Sequence, residues 1–208
     1  MMKRRISVLL VDDHSLVRRG FRRILEDDPE IVVTGEAGDG AEAIRRAHEL
    51  HPNVVVMDYA LPVMGGVLAT RRILEQLPQT RVLMLSMHAE ESCVRHALEA
   101  GAGGYLLKNA LDLELVAAVK RVASGETVLD SNLPPRGVSA PGPRLTTREL
   151  EILQLIAEGK ANKEIAAQLN LSVNTVAVHR ANIMEELGVH KTAKLVAYAI
   201  RNRLVHLP

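Results

Sequence analysis

Val54-Val55-Val56-Met57-Asp58 is the stretch on which the fold turns. Four consecutive apolar residues, three of them β-branched, leave no polar face for solvent, so the segment suits a strand buried on both sides, as in a parallel sheet covered by helices. The acid that ends it marks the carboxyl edge of such a sheet. Outward from there, similar short apolar runs occur at residues 6–11, 31–34, 82–85 and 104–107. Residues 16–25, 41–50, 67–77, 92–100 and 111–123 carry apolar side chains at helical spacing. Five strands, each followed by a helix, predict an α/β domain of (βα)5 type over the first 124 residues.

The 208 residues are 47% hydrophobic and 25% charged, a globular composition with room for two small cores. Net charge is +1, unevenly spread: residues 1–130 hold 16 Lys and Arg against 19 Asp and Glu (net −3), residues 144–208 hold 9 against 6 (net +3). Cys93 is the single cysteine, which excludes an intrachain disulfide and any zinc site needing two or four cysteines. The basic start, Met1 to Arg5, precedes an apolar run that ends at Val11 against Asp12 and Asp13, a strand rather than an export signal. No apolar stretch approaches the roughly 20 residues that span a bilayer. A soluble, cytoplasmic protein without a membrane partner is expected.

Residues 131–143 contain four of the nine prolines and two glycines, and almost no large apolar residue. Such a segment packs no core, so residues 129–143 are assigned to a linker between domains at 1–128 and 144–208. Beyond it the chain is helical throughout. Thr146-Thr147-Arg148-Glu149 has the Ser/Thr-x-x-Glu form of a capping box, and Gly159 is placed to end that helix. Further helices are predicted at 163–169, at 173–187 with Ser172 as N-cap, and at 192–203. The turn Asn170-Leu171-Ser172 joins two of them as a helix-turn-helix within a small all-α four-helix domain.

Ligands of an open α/β sheet bind beyond the carboxyl ends of its strands. Asp12 and Asp13 end the first strand, Asp58 the third and Ser86 the fourth, and Lys108 follows the fifth. Three converging carboxylates repel one another and call for a hard divalent cation with oxygen ligands, Mg²⁺, while Lys108 and Ser86 add a charge and a hydroxyl for an anionic group. One alternative is a phosphatase-like enzyme with an Asp nucleophile, Mg²⁺ and an accessory helical module. The haloacid-dehalogenase type needs a second Asp two residues after the nucleophile, where Asp58 is followed by Tyr59 and Ala60. No Gly-x-Gly-x-x-Gly follows the first strand, so a dinucleotide site is not expected.

Val11-Asp12-Asp13-His14, Met57-Asp58-Tyr59-Ala60-Leu61-Pro62, Leu85-Ser86-Met87-His88 and Gly104-Tyr105-Leu106-Leu107-Lys108 resemble the flavodoxin-like receiver domain of response regulators over residues 5–124. The resemblance implies that Asp58 accepts a phosphoryl group from a histidine kinase's phosphohistidine. It implies Mg²⁺ held by Asp13, Asp58 and the Ala60 carbonyl, with Asp12 acting through the water shell. Ser86 and Lys108 would bind phosphoryl oxygens, Tyr105 would be an aromatic switch, and the Lys108–Asn109 peptide bond would be cis. No enzyme activity is implied beyond phosphoryl transfer to Asp58 and its autodephosphorylation. Gly65-Gly66 departs from the Asp-Gly common in the family and leaves the Asp58 loop looser.

Gly159-Lys160-Ala161-Asn162-Lys163-Glu164-Ile165-Ala166, Leu171-Ser172-Val173-Asn174-Thr175-Val176, His179-Arg180-Ala181-Asn182-Ile183 and Leu187-Gly188-Val189 are similar to the LuxR-type DNA-binding domain. Together the two halves resemble a NarL/FixJ-type response regulator, which implies a partner in double-stranded promoter DNA and a homodimer on phosphorylation. Candidate DNA contacts are Lys163, Asn174, Thr175, His179, Arg180 and Lys191, with cations for phosphates and polar side chains for bases or sugar. Ala177 and Glu186 depart from frequent lysines, Ala181 lies one turn after Ala177, and Ala161 replaces the usual serine N-cap. A less basic recognition face follows, with more reliance on dimerisation. Leu195, Val196, Ala199 and Ile200 form an apolar stripe that suits either a dimer contact or the domain's own core.

Overall fold

The computed structural model describes residues 5–108, 111–133 and 145–202, with the backbone alone at 111–113. The chain divides into two compact units, residues 1–135 and 136–208. In the first, β1 (Ile6–Val11), α1 (Ser15–Glu26), β2 (Ile31–Ala37), α2 (Gly40–Leu50), β3 (Val54–Asp58), α3 (Gly66–Gln76), β4 (Arg81–Ser86), α4 (Glu91–Glu99), β5 (Gly104–Leu107) and α5 (Leu111–Ala123) alternate along the chain. The strands form one parallel sheet in the order β2-β1-β3-β4-β5-β6, where β6 is Val128–Leu129. The order reverses between β1 and β3, which opens a crevice at their carboxyl ends.

Each central strand is buried on both faces. Leu9, Val11, Val55, Met57, Val82, Met84, Tyr105 and Leu107 face one core, shared with α2, α3 and α4. Val8, Leu10, Val54, Val56, Leu83, Leu85 and Leu106 alternate with them into a second core, with Leu115, Val119 and Val122 of α5 and Leu25 of α1. The unbroken apolar run of β3 is thus explained by two covered faces.

The sequence predicts five strands, and the sheet has a sixth. After α5 the chain turns at Gly125, in the left-handed region at φ +93°, and returns along the edge of β5, pairing Gly104 with Val128 and Tyr105 with Leu129. Two residues are too short for a periodicity signal, so the strand escapes sequence analysis. The segment assigned to the start of the linker therefore continues the core of the first unit: Leu133 packs against the cluster that contains Tyr105 and Leu107. The rest of the linker and the Lys108–Asn109 bond, predicted cis, lie outside the described residues.

The second unit comprises α6 (Thr147–Ala157), α7 (Asn162–Leu169), α8 (Val173–Glu186) and α9 (Thr192–Arg201). Thr146 and Glu149 close the predicted capping box, with Thr146 N–H donating to Glu149 Oε2 at 2.9 Å and Glu149 N–H to Thr146 Oγ1 at 3.3 Å. At α7 only half of such a box exists, since Glu164 accepts from the Ala161 N–H at 2.7 Å but Ala161 has no side-chain oxygen to return the bond. Asn162, the first residue of α7, accepts from Arg180 at its Oδ1 at 3.1 Å. Asn170 ends α7 in the left-handed conformation (φ +58°), and Ser172 Oγ accepts from the Thr175 N–H at 3.0 Å to start α8. The apolar stripe of α9 divides: Leu195 and Ala199 are fully buried, Val196 is half-buried and Ile200 is exposed. No described helix is long and apolar enough to cross a membrane.

Candidate functional site

Strand register sets the first site. Val11 pairs with Met57, Asp58 with Leu85 and Ser86 with Leu107, so Asp12, Asp58, Ser86 and Lys108 reach the carboxyl edge at nearly one level. Lys108 Nζ lies 2.7 Å from Asp12 Oδ2 and 2.8 Å from Asp58 Oδ2, with all three side chains largely buried. Burial pushes the Asp58 carboxyl up to about 6 against the opposing pull of Lys108. Burial alone would lower Lys108, but Asp58 and Asp12 outweigh it and hold the ammonium above the usual lysine range.

Two further residues shape this edge without a distinguishing signal in sequence. His14 donates its backbone N–H to Asp12 Oδ1 at 2.8 Å and brings Nδ1 to 2.7 Å from Asp13 Oδ1. Arg18, one turn into α1, donates to the Asp12 carbonyl at 2.5 Å and pairs with Glu36 at 3.1 Å. Asp13 Oδ1 is sealed from solvent and makes no hydrogen bond, with His14 Nδ1 its near neighbour at 2.7 Å. A carboxylate oxygen sealed from solvent without a hydrogen bond, beside a second carboxylate, is a donor set that fits a hard divalent cation. Ligand atoms of Asp12, Asp13 and His14 fall within 4.8 Å of one another, the one such group among the described residues. Asp58, predicted as a direct ligand, lies outside that group, and its Oδ2 meets Lys108 at 2.8 Å.

Ser86 Oγ accepts from the His88 N–H at 3.1 Å, and the Tyr105 hydroxyl donates to the His88 carbonyl at 2.7 Å. Tyr105 is fully buried, its phenol held above the usual range by burial, and its ring meets Tyr59 edge-on with centroids 6.4 Å apart. Ala60, whose N–H lies 3.4 Å from Asp58 Oδ1, begins the loop to α3. That loop presses on the acid: a Cβ on Gly66 would stand 2.0 Å from the Asp58 carbonyl oxygen, so only glycine fits there. Val63 in the same loop is exposed and takes a left-handed backbone (φ +63°), a strained state for a β-branched residue.

In the second unit α8 presents Val173, Asn174, Ala177, Val178, Ala181 and Asn182 to solvent. Lys163 and Lys191, at the starts of α7 and α9, are exposed as well. Arg180 and Thr175, predicted as DNA contacts, have internal partners: Arg180 ties Asn162 to Thr192, and Thr175 Oγ1 lies 2.8 Å from Ser172 Oγ. His179 is half-buried, with Nδ1 sealed from solvent and unbonded. Asn174, Lys163 and Lys191 are the predicted contacts that remain open.

The sequence matches the family described as response regulator receiver domain over residues 8–120 and the family described as bacterial regulatory proteins, luxR family, over residues 143–199. It is 40% identical to the transcriptional regulatory protein LiaR of Bacillus subtilis (strain 168), over 97% of this chain and 100% of LiaR. Identity to the oxygen regulatory protein NreC of Staphylococcus aureus (strain bovine RF122 / ET3-1) is 39%, over 96% of this chain and 99% of that protein. Among solved structures, RcsB from Salmonella enterica serovar Typhimurium, bound to promoter rprA in the presence of the phosphomimetic BeF3⁻, superposes with a TM-score of 0.63 at 26% identity, covering 93% of this chain and 98% of RcsB.

Proposed function

The chain belongs to the two-component response regulators that join a receiver domain to a LuxR-type helix-turn-helix DNA-binding domain, and on that premise we propose the roles of its residues. Asp58 is the phosphoacceptor. The observation that carries this is the Lys108 ammonium, 2.8 Å from Asp58 Oδ2 at the crevice where the strand order reverses. An ionised Asp58 oxygen attacks the phosphorus of a histidine kinase's phosphohistidine, the P–N bond breaks, and the imidazole nitrogen takes up a proton. Phosphoryl transfer of this kind depends on positioning and charge neutralisation more than on acid-base chemistry. Lys108 moves its contact from the carboxylate to a phosphoryl oxygen, and Ser86 donates to another. Asp12 and Asp13 would hold Mg²⁺, which when bound supplies positive charge beside the transferring group. Ser86 and Tyr105 meet at His88, whose N–H bonds Ser86 and whose carbonyl accepts from Tyr105, so a movement of the Ser86 hydroxyl gives the switch residue a reason to respond.

The second unit binds promoter DNA with α8 in the major groove, Asn174 toward bases, and Lys163 and Lys191 toward phosphates. Arg180 acts as a strut that holds the starts of α7 and α9 to α8. Phosphorylation promotes a homodimer, so that two recognition helices address two half-sites; RcsB supports this reading as a relative bound to its promoter in the presence of a phosphomimetic. The cytoplasm, where kinase and promoter meet it, is the place of action, and residues 129–143 carry the receiver's output to residues 144–208.

Incubation with acetyl phosphate and Mg²⁺ is expected to label Asp58 to one equivalent, and D58N to remain unlabelled while folded. Sustained turnover of small phosphomonoesters, or labelling of D58N at wild-type stoichiometry, contradicts the proposal.

A further inference from the structure

Asp130 is a buried acid that neither sequence motif explains. Its Oδ2 accepts from the Leu107 N–H at 2.9 Å, and its Oδ1 accepts from the Asn132 N–H at 2.8 Å and from Asn132 Nδ2 at 3.0 Å. Its own N–H donates to the Tyr105 carbonyl at 2.9 Å, and its carbonyl accepts from the Leu133 N–H at 3.3 Å. Only 4% of the residue is exposed.

The place of these bonds in the sheet gives them meaning. Along β5, alternate N–H groups point to opposite neighbours, and the Lys108 N–H goes to the Ser86 carbonyl of β4 at 2.8 Å. The Leu107 N–H points the other way, toward the edge where β6 has already ended at Leu129. Asp130 folds its side chain back and takes the place of the missing strand carbonyl. The last two residues before the Lys108 side chain are thus held between Ser86 on one side and a carboxylate on the other. A carboxylate suits the position because it faces three donors with acceptor atoms alone; asparagine would turn an NH₂ group toward one of them.

Resting on the assignment of Asp58 and Lys108 above, we infer that Asp130 is a positioning residue for the phosphorylation site, which fixes the end of β5 and links its geometry to the chain that leaves the receiver. Lys108 meets Asp12 and Asp58 at 2.7 and 2.8 Å, distances that a shift of its backbone by a fraction of an ångström would break. Tyr105 is tied to the same turn through its carbonyl. On the far side of the carboxylate, Asn132 and the core-packed Leu133 are the last described residues before the segment toward the second unit. A displacement of Lys108 or Tyr105 on phosphorylation is therefore passed to residues 130–133 by hydrogen bonds, and restraint on that segment acts back on Lys108.

The test uses the full-length chain with D130N, which keeps the volume, and N132A, which removes one bond of the same turn but leaves Leu107 tied. The rate constant for Asp58 labelling at saturating acetyl phosphate is expected to fall about tenfold in D130N, the scale on which a small misplacement of a reacting group acts. Mg²⁺ affinity, set by Asp12 and Asp13, stays unchanged, and N132A labels as the wild type does. In ¹H–¹⁵N spectra, beryllofluoride with Mg²⁺ shifts the backbone amides of Leu107 and Asn132 in the wild type, and the Asn132 response is lost in D130N. Labelling of D130N at the wild-type rate, with lowered melting temperature alone, assigns Asp130 to stability and overturns the inference. If D130N does not fold, the wild-type spectra decide: an Asn132 amide that ignores beryllofluoride overturns it. Failure of the wild type to label on Asp58 removes the phosphoacceptor assignment, a separate result seen before any variant is made.

Discussion

Lys108 Nζ sits 2.8 Å from Asp58 Oδ2 with both side chains buried, so each holds the other's charge in place. Removing the ammonium strands both carboxylates, whereas Lys108 without Asp58 keeps Asp12. K108M leaves Asp58 and Asp12 facing each other without a cation, and a loss of about 3 kcal/mol is expected by chemical denaturation in EDTA. D58N added to K108M restores a large part of that loss. Additive effects of the two substitutions show that the pair is not energetically linked.

The Asp58 carboxyl is raised to about 6 by burial, above its unfolded value near 3.8. The folded state then binds the proton more tightly, so Asp58's contribution to stability is fully present below pH 3.8 and is lost as pH rises through about 6. D58N escapes the loss, and above pH 6 in EDTA it is expected to be more stable than the wild type by roughly 1–3 kcal/mol. Equal stability of the two proteins at pH 7.5 contradicts the assignment.

His96 on α4 is buried, its Nδ1 makes no hydrogen bond, and burial with the nearby charges of Arg95 and Arg71 depresses it to about 4. A folded value below the unfolded 6.5 means stability present above pH 6.5 and lost as pH falls toward 4. The loss amounts to about 2–3 kcal/mol over that window. H96Q flattens the melting temperature between pH 6.5 and 4.5; an unchanged acid slope assigns the loss to other groups.

Val63 holds a left-handed backbone at φ +63° while exposed to solvent. Asparagine adopts this conformation more readily, so V63N is expected to gain about 1 kcal/mol in thermal unfolding. A lowered melting temperature shows that the valine side chain makes a contribution larger than the strain.

With Ala177 in place of a lysine, α8 has no cation from Val173 to Val178. A177K adds one phosphate contact and is expected to tighten non-specific duplex binding and steepen the salt dependence, d log K/d log[salt], by about 0.9. A slope unchanged by A177K places that face away from the DNA backbone.

The central sheet and its flanking helices are legible in sequence because a strand covered on both faces must be apolar at every position, as Val54 to Met57 are, and because helical spacing marks the covers. Capping residues likewise show in one dimension: Thr146 with Glu149, and Ser172, act within three residues of themselves. The acids at strand ends are legible for the same reason, since a parallel sheet sends every carboxyl end to one edge. β6 is not legible, because two residues carry no period and their pairing with β5 is a contact between distant parts of the chain.

Side-chain partnership follows the same division. The sequence by itself determined which residues arrive at the carboxyl edge and that the second half would be a helix-turn-helix, since local pattern decides both. Only the tertiary structure decided that Asp58 pairs with Lys108, that Arg180 is held by Asn162 and Thr192, and that Asp130 closes the edge of β5 at Leu107. Each of these is a polar contact between residues 12 to 50 positions apart, and at such separations direction and distance are set by packing, to which local sequence periodicity is blind.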